Sequence, residues 1–205
     1  RHALAEALAV EHMARVDGVR FATDEAELEK LGERAKLRRC PHCHQLGAMN
    51  SHGFLRGYSL LGSSSMIRGR RFFCSNRGRK SGCGRTVSVL LKMMIANFMV
   101  TTALLASFVS RVLRGDSRRA SWLAASAGVF SERSGYRLWH RLCRAVPHLR
   151  TQLVRCLPPP TSQATEPIGH VVEHIRVCAP DANEDVFAAF QKHFQCGFFH
   201  DKDVR

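Results

Sequence analysis

Apolar side chains recur at helical spacing near the start of the chain. In residues 2–16 (HALAEALAVEHMARV), Leu4, Leu8 and Met13 fall on this period. Asp24, with Glu27 three residues on, has the form of a capping box and predicts a second helix through about Lys36. Residues 1–36 therefore read as a helical prefix suited to packing or to a partner. The pattern then changes. Over residues 40–85, glycines such as Gly53, Gly57, Gly69, Gly82 and Gly84 punctuate short runs, and Arg71-Phe72-Phe73-Cys74 reads as a strand.

Residues 87–109 are the most apolar run, interrupted by Lys92, Asn97, Thr101 and Thr102. They read as one long buried helix capped by Thr86 or Ser88, serving as a core element or a dimer surface. The run approaches the roughly 20 residues of a membrane span. Lys92, Asn97 and the paired threonines are costly in lipid, and no second span follows. A buried helix is preferred, with no membrane partner.

Two more helices follow. Asp116 or Ser117 caps one through Trp122, Leu123 and Ala124; Ala127-Gly128-Val129 turns; Ser131 caps the next through about Ala145. Helix, Gly-containing turn, helix is the helix-turn-helix pattern. In its second helix Arg133, Arg137, Arg141 and Arg144 are spaced by four, four and three, so they share a face. Leu138, Leu142 and Ala145 lie towards another. Leu157-Pro158-Pro159-Pro160 opens a linker to Pro167, since three prolines stop a helix. Residues 168–178 and 183–194 read as helical. The expected domains are a prefix (1–36), a β region (37–88), a helical core with the helix-turn-helix (89–156), a linker (157–167) and a helical tail (168–205).

Charge changes the picture. The net charge is +14. Residues 34–155 carry 23 Lys and Arg against two acids, Asp116 and Glu132, or +21; residues 1–33 sum to −4 and residues 156–205 to −3. A basic centre between mildly acidic ends points to a polyanion, most often nucleic acid. An unspecific soluble basic surface and an anionic membrane surface are the alternatives. Arg68, Arg70, Arg71, Arg77, Arg79 and Lys80 are the candidate phosphate contacts of the β region. Arg133, Arg137, Arg141 and Arg144 are candidates for groove docking.

The cysteines carry the chemistry. Cys40-Pro41-His42-Cys43 is a Cys-x-x-Cys knuckle, and Cys74 and Cys83 follow after thirty residues with eight between them. Two cysteine pairs on a span that folds back are what a tetrahedral Zn²⁺ requires. The expected ligands are Cys40, Cys43, Cys74 and Cys83; a rival set replaces one cysteine by His42, His44 or His52. With four protein ligands and no open position, such a zinc is structural. A sheet so small buries little apolar area, so the metal is expected to stand in for a core. His170, His174 and Cys178, at i, i+4 and i+8, with His193 and Cys196 further on, are a weaker candidate for a second metal; a packed helical face is preferred. The chain opens on Arg1, and its N-terminal segment lacks the apolar run of a secretory signal. Together with the Cys-x-x-Cys motif this leads to an expectation of reduced thiols and a cytoplasmic protein.

The knuckle Cys40-Pro41-His42-Cys43, then Arg70-Arg71-Phe72-Phe73-Cys74, then Cys83-Gly84-Arg85-Thr86-Val87-Ser88 resembles the N-terminal zinc ribbon of insertion-sequence transposases. Residues 120–142, with Ala-Gly-Val-Phe-Ser at 127–131 and Tyr136-Arg137-Leu138-Trp139, are similar to the helix-turn-helix that follows it. The resemblance spans roughly residues 37–149. It departs in the second knuckle, which has eight residues in place of two, and at Val87, where Phe is usual. It departs further in lacking the carboxylate triad of the family's nuclease domain. The resemblance implies a DNA-binding protein of mobile-element type without its own nuclease, an accessory or regulatory factor with a recombinase or transposase partner. The fold expectation is mainly α with a small zinc-ribbon β region and a helix-turn-helix after it. Two rival functions stand beside this one. One is a zinc-stabilised adaptor binding a recombinase or replication protein through its apolar helix and aromatic tail. The other is a nuclease using tail residues such as His170 and Asp185. RNA is a further alternative to DNA.

Overall fold

The structure is a computed structural model describing residues 19–58, 65–180 and 184–199. The helix expected over residues 2–16 lies outside the described residues. The fold is mixed α and β, with a four-stranded sheet and six α-helices among the described residues. The described residues divide into two compact units, one comprising those up to Lys92 with Phe194–Gly197, the other Met93–His193 with Phe198 and Phe199.

The first unit is built on β1 (Val19–Ala22), α1 (Glu25–Glu33), β2 (Met49–Tyr58), β3 (Ser65–Cys74) and β4 (Thr86–Leu91). The sheet order is β1-β4-β3-β2, with β1 parallel to β4 and the other pairs antiparallel. Helix α1 starts where the sequence places it. The Asp24 carboxylate accepts from the Glu27 N–H at 2.8 Å, and the Glu27 carboxylate reaches back to the Thr23 N–H at 2.7 Å. The prefix is not wholly helical, however, because Val19–Ala22 forms an edge strand. Four residues are too short to display a period, and the pairing partner lies far along the chain at Ser88–Leu91.

The sheet is larger than the sequence led us to expect, and it has a core of its own. Phe21, Leu28, Phe72, Val87, Val89 and Leu91 are buried in it. Arg70 of β3 ties α1 to the sheet: its guanidinium donates to the Leu28 carbonyl and pairs with Glu29 at 3.1 Å, donates to Ser51 Oγ at 2.8 Å, and lies 4.7 Å over the Phe54 ring. Among the described residues, β1 is the outer strand at the other end of the sheet order. The Gln195 side chain covers it, accepting from Phe21 N–H at 3.1 Å and donating to Phe21 O at 3.0 Å.

The single helix expected over residues 87–109 is corrected. Its first part is β4, an inner strand whose Val87, Val89, Leu90 and Leu91 are all buried. A strand covered on both faces reads as a continuous apolar run, as a buried helix does. Asn97, in a left-handed conformation (φ 62°), lies in the connection, and the true helix cap is Thr101, whose hydroxyl accepts from Leu104 N–H at 3.3 Å.

The second unit is helical: α2 (Thr102–Leu113), α3 (Arg118–Ala125), α4 (Glu132–Cys156), α5 (Pro167–Cys178) and α6 (Val186–Phe194). Ser117 caps α3, accepting from Ala120 N–H at 3.2 Å, and Ala127 and Gly128 turn the chain with positive φ. Helix α4 continues through Pro147, well beyond the expected end near Ala145, because its apolar stripe continues through Val146, Leu149 and Leu153, all buried. Phe108 packs edge-on against Trp122 and Trp139 at 5.3 and 5.8 Å. Of the expected linker 157–167, residues 157–166 form neither helix nor strand, while Pro167 already opens α5. No helix among the described residues is long and apolar enough to cross a membrane.

Candidate metal centre and basic surfaces

The sulfurs of Cys40, Cys43, Cys74 and Cys83 all lie within 4.8 Å of one another. Cys40 and Cys83 approach to 3.7 Å, and Cys43 and Cys74 to 3.6 Å. A tetrahedral metal with metal–sulfur bonds of about 2.3 Å sets its sulfurs roughly 3.8 Å apart, so the four thiols fit such an ion. Among the described residues they are the one group of three or more such side chains gathered in this way. His42, His44 and His52 stay outside and exposed, so the rival histidine set is not assembled. His52 lies beside Phe73, with 6.2 Å between ring centroids.

Local backbone chemistry builds the site from two sides. On one, His44 N–H donates to Cys40 O at 2.8 Å and Cys40 N–H to Gln45 O at 3.1 Å, while His44 takes a left-handed conformation (φ 59°). This tight turn lets Cys40 and Cys43 converge, and His42 N–H points at Cys40 Sγ from 3.4 Å. On the other side, β3 delivers Cys74 as its last residue. The eight residues before Cys83 close into a loop: Gly82 N–H donates to Ser75 O and Gly84 N–H to Cys74 O, both at 2.9 Å, and Cys83 N–H points at Cys74 Sγ from 3.3 Å. A Cβ on Gly82 would collide with the Ser75 carbonyl and come within 2.7 Å of Cys74 Sγ. The sequence marks Gly82 only as a turn residue; its contact with the ligand sulfur is visible in the structure alone.

The thiols differ electrostatically. Burial pushes Cys74 up to about 12 and raises Cys40, whereas the Gln45 N–H draws the exposed Cys43 down to about 7. N–H groups aimed at sulfur favour thiolates, and a bound cation would deprotonate all four.

The candidate arginines separate into exposed and committed groups. Arg77, Arg79 and Lys80 stand exposed on the loop between Cys74 and Cys83, with Lys80 Nζ donating to Asn50 Oδ1 at 3.0 Å. Arg71 is exposed on β3. Arg70 is engaged with α1, and Arg68 is half-buried over Gly57, where burial lowers its pKa. In the second unit Arg133, Arg137 and Arg144 are exposed on α4, while Arg141 packs 4.9 Å over the Phe98 ring. Near the start of α3 Arg118 lies 5.2 Å over Trp139, and Arg119 pairs with Glu132 at 2.8 Å.

Other candidates have structural roles. His174 is buried with Nε2 3.0 Å from Leu157 O, so the set His170, His174 and Cys178 is not assembled around an ion. Asp185 caps α6, accepting from Phe187 and Ala188 N–H at 3.1 and 3.0 Å and from the Thr102 hydroxyl at 2.8 Å. No protein-family model, curated protein or solved structure matches the chain.

Proposed function

We propose that this chain is a zinc-stabilised protein that binds double-stranded DNA, of the insertion-sequence transposase type, acting as an accessory or regulatory factor. The observation that carries the reading is the loop between Cys74 and Cys83. It is tied at both ends to metal-ligand positions and holds Arg77 and Arg79 exposed. A rigid loop presenting cations loses little entropy when it meets a phosphate backbone. Four thiols at tetrahedral spacing suit Zn²⁺, which adds no redox chemistry and leaves no open position. The first unit is then read as an elaborated zinc ribbon. In the second unit α3, the turn at 126–131 and α4 are read as a helix-turn-helix, with Arg133, Arg137 and Arg144 on the docking face.

This reading places the protein in the cytoplasm, beside a recombinase or transposase. The adaptor reading draws less support, since the surfaces it requires are interior. Phe187, Phe190, Phe198 and Phe199 are buried, as are the apolar residues of β4 and the inner face of α2. The enzyme reading loses Asp185 to a helix cap.

Mobility shift of the zinc-loaded protein on duplex DNA across a salt series is the test. Binding should weaken steeply with salt, and Arg77→Ala with Arg79→Ala should lower the log–log slope by about 2. Arg137→Ala with Arg144→Ala should weaken binding without loss of fold, since neither side chain is buried. Absence of binding at low salt, or full binding by both double variants, would overturn the reading.

A further inference from the structure

Three helices of the second unit bring together two thiols and an imidazole. Cys156 is the last residue of α4, Cys178 the last of α5, and His193 lies in the last turn of α6. Cys156 Sγ is 3.9 Å from His193 Nε2. Cys178 Sγ is 3.9 Å from Leu153 O, one turn before Cys156, and the neighbouring Cys156 thiol adds to the rise that burial gives the Cys178 pKa. Cys156 is exposed and Cys178 is 6% exposed. The three do not gather as the four cysteines of the metal centre do. What they do present is an accessible thiol, a base beside it and a second sulfur behind it.

We propose that Cys156 and Cys178 are a redox pair that closes into a reversible disulfide when a hydroperoxide oxidises Cys156, with His193 accepting the Cys156 proton. In the first step His193 takes that proton and the thiolate attacks the peroxide; an S–O bond forms and the O–O bond breaks. For hydrogen peroxide the departing hydroxide leaves as water with the proton from His193. Cys156 is then a sulfenic acid. In the second step the Cys178 sulfur attacks it; the S–S bond forms, the S–O bond breaks, and the hydroxide leaves as a second water with the Cys178 proton. The two sulfurs together lose two electrons and the peroxide gains them. Burial keeps Cys178 protonated, pushed up to about 12, which protects it from direct oxidation. The product staples the ends of α4 and α5 across the proline-rich segment between them.

The test uses the full chain with its metal retained. After treatment with a small excess of hydrogen peroxide, free thiols are alkylated in denaturant and the peptides are mapped. A Cys156–Cys178 linked peptide that disappears on dithiothreitol treatment is the expected result. Cys178→Ser should stop at a dimedone-reactive sulfenic acid on Cys156, and His193→Gln should slow linkage about tenfold. Cys156→Ser, at an exposed position, should leave Cys178 reduced, and this comparison stands even where Cys178→Ser does not fold. Recovery of both cysteines singly alkylated, a Cys156-linked dimer, Cys178 oxidised in Cys156→Ser, or an unchanged rate in His193→Gln would each overturn the proposal.

Discussion

A methyl group at position 82 has nowhere to go. It would press on the Ser75 carbonyl, which is backbone, and on the sulfur of Cys74. With a metal held by the four thiols as proposed, Gly82→Ala should loosen the candidate centre without removing a ligand, giving about tenfold faster metal loss to a competing chelator, the scale of other second-layer changes. Chromophoric chelator kinetics would measure it, and an unchanged rate would mean that the loop is more compliant than its hydrogen bonds indicate. Gly135 is the counterpart in the second unit. Its Cα faces Trp122, and a Cβ there would meet the indole ring. Alanine is the better helix former by up to about 1 kcal/mol. Gly135→Ala should nonetheless destabilise the unit by about 1–3 kcal/mol through overpacking, read as a lower denaturation midpoint.

Among the elements, Arg70 shows how a charged residue can belong to the architecture. Arg70→Ala removes the contacts that pin α1 to β3 and leaves the Leu28 carbonyl without that donor. A loss of about 1–3 kcal/mol is expected, whereas Arg71→Ala, at an exposed position, should cost less than about 0.5 kcal/mol. Chemical denaturation of the two variants distinguishes an internal tie from a surface charge. The contrast also marks what was legible in the sequence. Local signals held: Asp24 and Ser117 cap helices, Arg71-Phe72-Phe73-Cys74 is a strand, and the four cysteines meet. Non-local pairing was not legible. Val19–Ala22 becomes a strand only because β4 lies beside it, and β4 read as helix because both its faces are covered. Which arginines are committed, Arg70 to α1 and Arg141 to Phe98, depends on neighbours remote in sequence.

For the whole molecule, the two units differ in what holds them. The helices of the second unit close on an aromatic and aliphatic core, whereas the first unit combines a sheet core with four gathered thiols. Chelation should accelerate amide exchange at residues 40–45 and 74–84 while protection in α4 and α5 is kept, as followed by mass spectrometry. Collapse of protection in both units would show that the metal organises more than the unit that holds it.

The Gln195 amide on the outer side of β1 carries a practical consequence. An uncovered edge strand is a template on which another polypeptide can add itself, and hence a route to aggregation. One side chain here occupies both the donor and the acceptor of Phe21, acting as a plug contributed from 174 residues further along the sequence. Shortening the chain to residue 180 would remove that plug and, with it, the buried Phe187 and Phe190 of α6, so a point variant isolates the edge more cleanly. The trimmed protein should form soluble multimers or precipitate on storage where the full chain stays dispersed, and light scattering would register the difference. Gln195→Ala should reproduce part of the effect with the tail still present.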